Sequence, residues 1–227
     1  MLVDVIIPAH NEGKAIADVL KEIPRELVRE CIVVSNASTD DTEQNARTAG
    51  AKVLTAKQKG YGNACLKGIQ YLKTRKLPPD IVVFLDGDHS DFPGEMPRLI
   101  KPITEGNCDM VIGSRALGNR ERGSMTPQQL FGNRLATFLL KLFYKEKSTD
   151  LGPFRAIRFR KLLALEMADR NYGWTVEMQI KAAKLGFKTC EVPVSYRKRI
   201  GKSKVSGTFK GSVLAGYKII LTLLKNI

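Results

Sequence analysis

Apolar residues along the chain follow two alternating rhythms. Val3 to Pro8 is a short β-branched run, and after the polar stretch behind it Ala15, Val19, Leu20 and Ile23 recur at helical spacing as far as Pro24. The same succession then repeats. Glu30 to Ser35 reads as a strand, Ser38-Thr39-Asp40 can cap a helix over 42–50, and Ala51 to Thr55 reads as a third strand. Gly60-Tyr61-Gly62 opens a helix through Leu72, Pro78-Pro79 breaks it, and Ile81 to Leu85 is the most apolar strand of the chain. Alternating β and α predicts an α/β fold: a mostly parallel central sheet with helices on both faces. Such sheets bind ligands at the carboxyl ends of their strands, where Asn11, Ser35-Asn36, Gly60 and Asp86 all fall.

Past Asp109 to Ser114, a further strand, the rhythm changes. A Gly/Arg-rich loop covers 115–123, an apolar helix covers 128–144 and a basic segment covers 197–204. No repeat, low-complexity tract or linker divides the chain, and 227 residues with 43% apolar content suit one domain over 1–227. Within it, 1–114 and 115–210 read as two halves and 211–227 as a C-terminal amphipathic helix.

Net charge narrows the partners. A formal +14 points to anions, which include nucleic acid, lipid headgroups and phosphorylated small molecules. Nucleic acid is set aside, because the chain has neither aromatic-basic interleaving nor a helix-turn-helix pattern. Cys31, Cys65, Cys108 and Cys190 lie far apart without a CxxC pair, so neither a zinc site nor a disulfide framework is expected, and a reducing compartment fits. The first residues show no basic leader, signal core or cleavage site, so secretion is not expected.

The longest apolar runs, Leu135 to Tyr144 and Val213 to Leu224, are each interrupted by lysine and fall short of a spanning helix. Both are amphipathic. Val213, Leu214, Tyr217, Ile220, Leu221 and Leu224 form one stripe, with Lys210, Lys218 and Lys225 placed to meet anionic headgroups; Leu130, Phe131, Leu135, Phe138, Leu139, Leu142 and Phe143 form another. The pattern serves a membrane surface or a buried helix equally. Trp174 reads either as core packing or as a membrane-edge anchor.

Asp86-Gly87-Asp88 directly follows the most apolar strand, so both carboxylates can turn towards one divalent cation. Hard oxygen ligands suit Mg2+ or Mn2+, and Asp91 can join the shell through water. The bland reading is an acidic turn that ends a strand. Arg197, Arg199, Lys202 and Lys204 make a basic group whose guanidinium forks suit phosphate oxygens; such a run is also an ordinary solvated face. His10 and His89 lack a second ligand at metal spacing, and read as pocket lining and loop residue.

These pieces occur in an order that resembles the family-2 glycosyltransferases of GT-A fold, in particular the dolichyl- or polyprenyl-phosphate mannose and glucose synthases. The resemblance runs through Val5-Ile6-Ile7-Pro8-Ala9-His10-Asn11-Glu12, Ser38-Thr39-Asp40, Lys59-Gly60-Tyr61-Gly62-Asn63-Ala64, and Asp86-Gly87-Asp88 with Pro93. It continues through Ile112-Gly113-Ser114-Arg115, Gly152-Pro153-Phe154-Arg155 and Glu191-Val192-Pro193-Val194-Ser195-Tyr196-Arg197.

The resemblance implies an inverting hexosyltransferase that uses a nucleotide-sugar donor such as UDP-glucose or GDP-mannose, a Mg2+ or Mn2+ cofactor and a polyprenyl-phosphate acceptor. It would work peripherally at the cytoplasmic face of the inner membrane. The donor would be bound by Pro8, Ala9, Asn11, Glu12, Ser35, Asn36, Lys59, Gly60, Tyr61, Gly62, Asp86, Gly87 and Asp88. The acceptor phosphate would meet Arg115, Arg197, Arg199 and Lys204; Asp86, Asp88 and Asp91 would hold the metal; and Asp88, Arg115, Glu177 and Arg199 would act in catalysis.

Two points depart from the simple pattern, while Glu177 stands where related enzymes keep an acid near the acceptor. The family usually carries an acidic pair where this chain has Ser35-Asn36. Met125-Thr126-Pro127-Gln128-Gln129 stands where an arginine and a serine are common. Glu177 suits an organiser better than a base if the acceptor is a phosphate, because a phosphate monoester is already ionised at neutral pH. The alternatives are transfer to a sugar hydroxyl and a silent nucleotide-sugar-binding relative.

Overall fold

The structure is a computed structural model that describes residues 1–201 and 221–222. The first half delivers the predicted succession: β1 (Val3–Ala9), α1 (Ile16–Lys21), β2 (Glu30–Asn36), α2 (Thr42–Thr48), β3 (Lys52–Ala56), α3 (Tyr61–Lys73) and β4 (Ile81–Phe84). A 3-10 turn at Pro93–Glu95 leads into α4 (Met96–Thr104) and β5 (Met110–Ser114). The second half adds α5 (Pro127–Tyr144), β6 (Arg155–Arg158), α6 (Phe159–Ala164), α7 (Trp174–Lys184) and β7 (Thr189–Pro193).

Seven strands form one sheet in the order β3-β2-β1-β4-β6-β5-β7. The first four pair in parallel, as do β5 and β7; β6 alone runs antiparallel, between β4 and β5. The mostly parallel sheet was legible, but β6 and β7 were not placed by the sequence. β6 is only four residues long and begins and ends in arginine, so it lacks an apolar run.

Both faces of the sheet are covered, as the strand alternation requires. Val3, Val5, Ile7 and Ala9 enter one core with Ile16, Leu20, Leu99 and Ile103, while Ile6, Ile32 and Val34 enter the opposite core with Leu72, Trp174 and Met178. Helix α3 lies close on β1 because Gly68 has no Cβ; one added there would stand 2.8 Å from Ile6 Cγ2.

Helix α5 begins with a capping box in which the Thr126 hydroxyl accepts from the Gln129 N–H (3.3 Å) and the Gln129 side chain accepts from the Thr126 N–H (2.8 Å). Its inner side packs Ala136 and Leu140 against Val176 and Ile180, while Phe131, Phe138, Leu142 and Phe143 are exposed. Among the described residues no helix is long and apolar enough to cross a membrane. Lys202, Lys204 and the expected C-terminal helix over 211–227 lie outside the described residues, apart from helical Leu221 and Thr222.

One expectation is overturned. Cys108 and Cys190 form a disulfide, Cα to Cα 6.0 Å, across a sequence separation of 82. Their spacing conceals the pairing because β5 and β7 become neighbours only after the chain has built β6 and three helices. Met110 then sits beside Thr189 and Val111 beside Cys190. The argument from cysteine spacing to a reducing compartment falls with it. Cys31 and Cys65 remain free and buried. Thiol titration of the denatured protein without reductant should therefore find two reactive thiols; four would show that Cys108 and Cys190 are unpaired.

Candidate active site

The carboxyl ends of β1, β2 and β4 open onto a cavity of about 560 Å³, within the range of small-molecule sites. Pro8, Ala9, His10 and Glu12 line it from β1, Asn36 from β2, Lys59, Gly60 and Tyr61 from the turn before α3, and Asp86, Gly87 and Asp88 from the end of β4. The far side consists of Arg115, Gln129, Leu151, Pro153, Asn171, Tyr172, Trp174, Thr175, Tyr196 and Arg199. One crevice thus gathers most of the expected donor-binding residues, together with two of the four basic ones.

The loops that form the near wall hold one another. Asn11, in the left-handed region at φ 54, accepts from the Thr39 N–H through Oδ1 (2.8 Å), and its own N–H donates to Ser38 Oγ (3.1 Å). Asp40 accepts from the Gly13 N–H (3.0 Å). The Ser38-Thr39-Asp40 motif therefore ties the β2 loop to the β1 loop. Asn11 and Ser35 do not line the cavity, contrary to their expected donor contacts; Asn11 is turned to the neighbouring loop and Ser35 is buried within β2. Asn36 does line it, yet its amide is engaged. Oδ1 accepts from the Gly60 N–H (2.7 Å) and Nδ2 donates to Gln58 O (2.9 Å).

The glycine-rich turn packs closely on a second loop. A Cβ at Gly60 would stand 2.1 Å from Arg170 O and one at Gly62 2.0 Å from Asp169 O, so both glycines admit the 169–170 backbone. Gly62 does not reach the cavity. Glu177 belongs to the same assembly: its carboxylate accepts from the N–H groups of Ala168 and Asp169 (3.1 and 2.8 Å) and pairs with Lys181 (2.9 Å). It is buried and does not line the cavity.

Three carboxylates cluster after β4. Asp88 accepts from Ser90 N–H and Oγ (2.9 and 2.5 Å) through Oδ1, and Oδ2 faces Arg199 Nη1 at 3.1 Å. Asp91 accepts from the Asp86 N–H (3.2 Å) and does not line the cavity. Asp86 Oδ1 and Asp91 Oδ1 are buried without a hydrogen-bond partner. Burial, and then the charges of Asp88 and Asp91, push the Asp86 carboxyl well above the usual carboxylate range. Burial, and then Asp88, push Asp91 up to about 7. The expected three-carboxylate cage is not assembled: among the described residues no group of three or more His, Cys, Asp or Glu is arranged to hold a metal ion.

The basic residues divide sharply. Arg199 reaches across the cavity, donating to Glu12 Oε1 (2.9 Å) and pairing with Asp88, while its Nε is buried without a partner. Arg115 lines the cavity, but its fork is spent on Asp150 (2.8 and 2.6 Å) and its guanidinium stacks on Tyr196, 5.0 Å from the ring centroid. Arg197 points away: it donates to His89 O (2.6 Å) and Glu22 Oε2 (2.7 Å) and lies 4.2 Å from the Phe92 ring centroid. Its expected contact with the acceptor phosphate is not made by this geometry, because those bonds pin the 196–200 strap to the 88–91 loop. Lys204 is outside the described residues. His10, read as pocket lining, does line the cavity, held through Nδ1 at 2.7 Å from Asn36 O.

Sequence reasoning missed Trp174, Thr175 and Asn171 as wall residues. They follow no short motif, and only the fold carries the start of α7 to the end of β4.

An open α/β sheet with a cleft at the carboxyl ends of its strands defines a ligand-binding site of the kind such sheets form. Residues 4–165 match the family Glycosyl transferase family 2, and the chain belongs to it. It is 34% identical over 215 residues to a glycosyltransferase of Mycobacterium tuberculosis H37Rv, covering 94% of each chain. It is 32% identical to a dolichyl-phosphate hexose transferase of Haloferax volcanii, covering 97% of this chain and 93% of the relative. An undecaprenyl-phosphate mannosyltransferase of Micrococcus luteus is 30% identical, with coverage of 94% and 91%. The solved glucosyl-3-phosphoglycerate synthase of Mycobacterium tuberculosis, bound to Mn2+, UDP and glucosyl-3-phosphoglycerate, superposes with a TM-score of 0.78 at 24% identity, over 99% of this chain and 79% of that one. The fold is GT-A and the chain is a glycosyltransferase, as the resemblance implied.

The buried carboxyls set the pH response of the metal-free protein. A carboxyl that titrates near 7 when folded and near 3.8 when unfolded binds more protons in the native state between those values. Stability then falls as pH rises through that window, and the loss is complete above about 7. Asp91→Asn keeps an acceptor for the Asp86 N–H and removes the charge. Urea unfolding of the metal-free variant should show it more stable than the parent near pH 8, by on the order of 2 kcal/mol, with the gap closing towards pH 4. A gap independent of pH would reject this account.

Proposed function

We propose that the protein transfers a hexose from a nucleotide sugar to the phosphate oxygen of a polyprenyl phosphate, with inversion at the anomeric carbon. The observation that carries this reading is the meeting of Asp86, Asp88 and Arg199 on one cavity at the strand ends, in a chain that belongs to this family. In it, residues 1–114 serve the donor, 115–210 the acceptor.

The donor set fits a divalent cation. Asp86 offers a buried carboxylate oxygen with no other partner, and Asp88 offers a second hard oxygen held only by Arg199 on that side. Asp86 and Asp88 would hold Mg2+ or Mn2+ together with diphosphate oxygens, with Asp91 behind them. When bound, such an ion supplies Lewis-acid neutralisation of the charge on the departing nucleoside diphosphate. Arg199 complements it: freed from Asp88, its fork can take diphosphate oxygens, and its unpaired Nε gives it a further donor. Pro8, Ala9, His10 and Lys59 bound the space for the nucleoside.

The acceptor assignment rests on two supports. The named relatives act on dolichyl and undecaprenyl phosphate. Glu177, the one acid expected near the acceptor, is committed to backbone N–H groups and Lys181, so a general base is not needed for the chemistry proposed. A phosphate oxygen, ionised at neutral pH, attacks without one. Membrane docking is proposed for α5, where Phe131 and Phe138 are 69% and 60% exposed beside Arg134, Lys141 and Lys145, a pattern suited to an anionic surface at the cytoplasmic face of the inner membrane. A second acceptor class deserves a place in the assay, since the solved relative acts on phosphoglycerate.

Nucleoside diphosphate release should be measured from UDP-glucose, GDP-mannose and UDP-N-acetylglucosamine with Mn2+, in the presence of a short polyprenyl phosphate, of 3-phosphoglycerate or of neither. Release from one donor that requires the lipid phosphate, and that falls roughly a hundredfold in Asp88→Asn, is the expected result. Release driven by 3-phosphoglycerate alone would reassign the acceptor, and none with any donor would reject the reading.

A further inference from the structure

Buried polar atoms nearly always find a partner, so those that do not mark places where something else binds. Three such atoms belong to residues on the cavity wall: Asp86 Oδ1, Arg199 Nε and Trp174 Nε1. The first two are charged groups suited to a metal and a diphosphate. The indole N–H is neutral and a donor only, so it calls for an acceptor oxygen, which a metal ion is not.

Trp174 is the chain's single tryptophan and is 1% exposed. It opens α7, and its ring stands edge-on to Phe84 of β4, centroids 6.2 Å apart at 61°. Phe84 precedes Asp86 by two residues, and Trp174 lines the same cavity as Asp86 and Asp88. The turn before it is fixed. The Gly173 N–H donates to Asp169 Oδ1 (3.1 Å), and a Cβ at Gly173 would stand 2.6 Å from both Asp169 Oδ2 and Thr222 Oγ1. Asn171, Tyr172 and Thr175 share this part of the wall, and none of the four carries a charge. A neutral, partly aromatic wall with a fixed donor matches the hydroxyls and apolar ring face of a sugar, not a phosphate.

We propose that Trp174 is a specificity-determining residue of the hexose subsite, its indole N–H donating to one hydroxyl of the transferred sugar. The inference rests on the reading of the cavity as a nucleotide-sugar site. It goes further by naming the residue that reads the sugar. A site built to donate to a hydroxyl discriminates against an analogue that lacks it, because the buried donor is then left unpaired.

With one tryptophan, the emission of the whole protein reports this indole alone. UDP, GDP, UDP-glucose and GDP-mannose should be titrated with Mn2+ into the wild type and Trp174→Phe, with affinity read by calorimetry and, in the wild type, emission by fluorescence. The nucleotide sugar that binds should shift emission to longer wavelength, as hydrogen bonding of an indole N–H does, whereas its bare diphosphate should not. Trp174→Phe should weaken the nucleotide sugar about five- to twentyfold and the diphosphate less than twofold. Equal weakening of both, or of neither, overturns the proposal. If the variant does not fold, monodeoxy forms of the binding donor decide with the wild type: one should lose both the shift and a similar factor in affinity, and uniform behaviour across the series overturns it. Failure of all four ligands to bind the wild type would instead remove the nucleotide-sugar reading on which the inference rests.

Discussion

β4 is paired on both edges and buried on both faces, and the chain leaves it at Asp86, which lines the cavity with its Oδ1 buried. Three carboxylates then follow within six residues, in surroundings that penalise each charge. Asp88 is relieved by Ser90 and Arg199, and Asp91 by the Asp86 N–H and, at longer range, by Arg115. Asp86 keeps an oxygen with no partner. Arg115 cannot make up the difference, because Asp150 already holds its fork. The end of β4 is therefore short of positive charge, and a dication bound there is the kind of ligand that would restore the balance.

That local shortage exists inside a chain with a formal excess of fourteen positive charges, which shows how little net charge says about a site. Most of the excess is on the surface. The buried cations are assigned one by one to internal duties: Arg115 to Asp150, Arg155 to the carbonyls of Leu151, Gly152 and Thr175, and Arg197 to Glu22 and His89. Arg155 is instructive, since its guanidinium is fully buried and its hydrogen bonds go to carbonyls, joining the loop that carries Leu151 and Pro153 to the start of α7. Both ends of that joint line the cavity. The cavity is thus shaped in part by charges whose hydrogen bonds are committed elsewhere.

The donor half was legible because each of its strands has its own β-branched run and each ends in a polar motif at the same edge of the sheet. Val3 to Pro8, Glu30 to Ser35 and Ile81 to Leu85 predicted β1, β2 and β4 to within a residue or two. What the motifs do was less legible. Ser38-Thr39-Asp40, Gly60 and Gly62, Glu177 and Arg197 all belong to the site region, yet each one also holds another loop, and a linear sequence cannot tell a residue that lines a wall from one that braces it. The second half was obscure for a different reason. β6 is short and flanked by arginines, β7 is half-buried, and the Cys108 to Cys190 bond and the placing of Trp174 beside Phe84 depend on a sheet order that inserts β6 between β4 and β5.

Asn36 shows how bracing and binding compete at one position. The family resemblance leads one to expect an acid here, in contact with the donor's base. An aspartate could accept from the Gly60 N–H as Asn36 Oδ1 does, but it could not donate to Gln58 O, and its charge would face that carbonyl. Asparagine satisfies both at once and so fixes the turn that brings Lys59, Gly60 and Tyr61 to the cavity. The cost is borne by the ligand side, where the amide has a donor and an acceptor already in use. His10 and Lys59 line the same wall, the first held by the carbonyl of Asn36 itself.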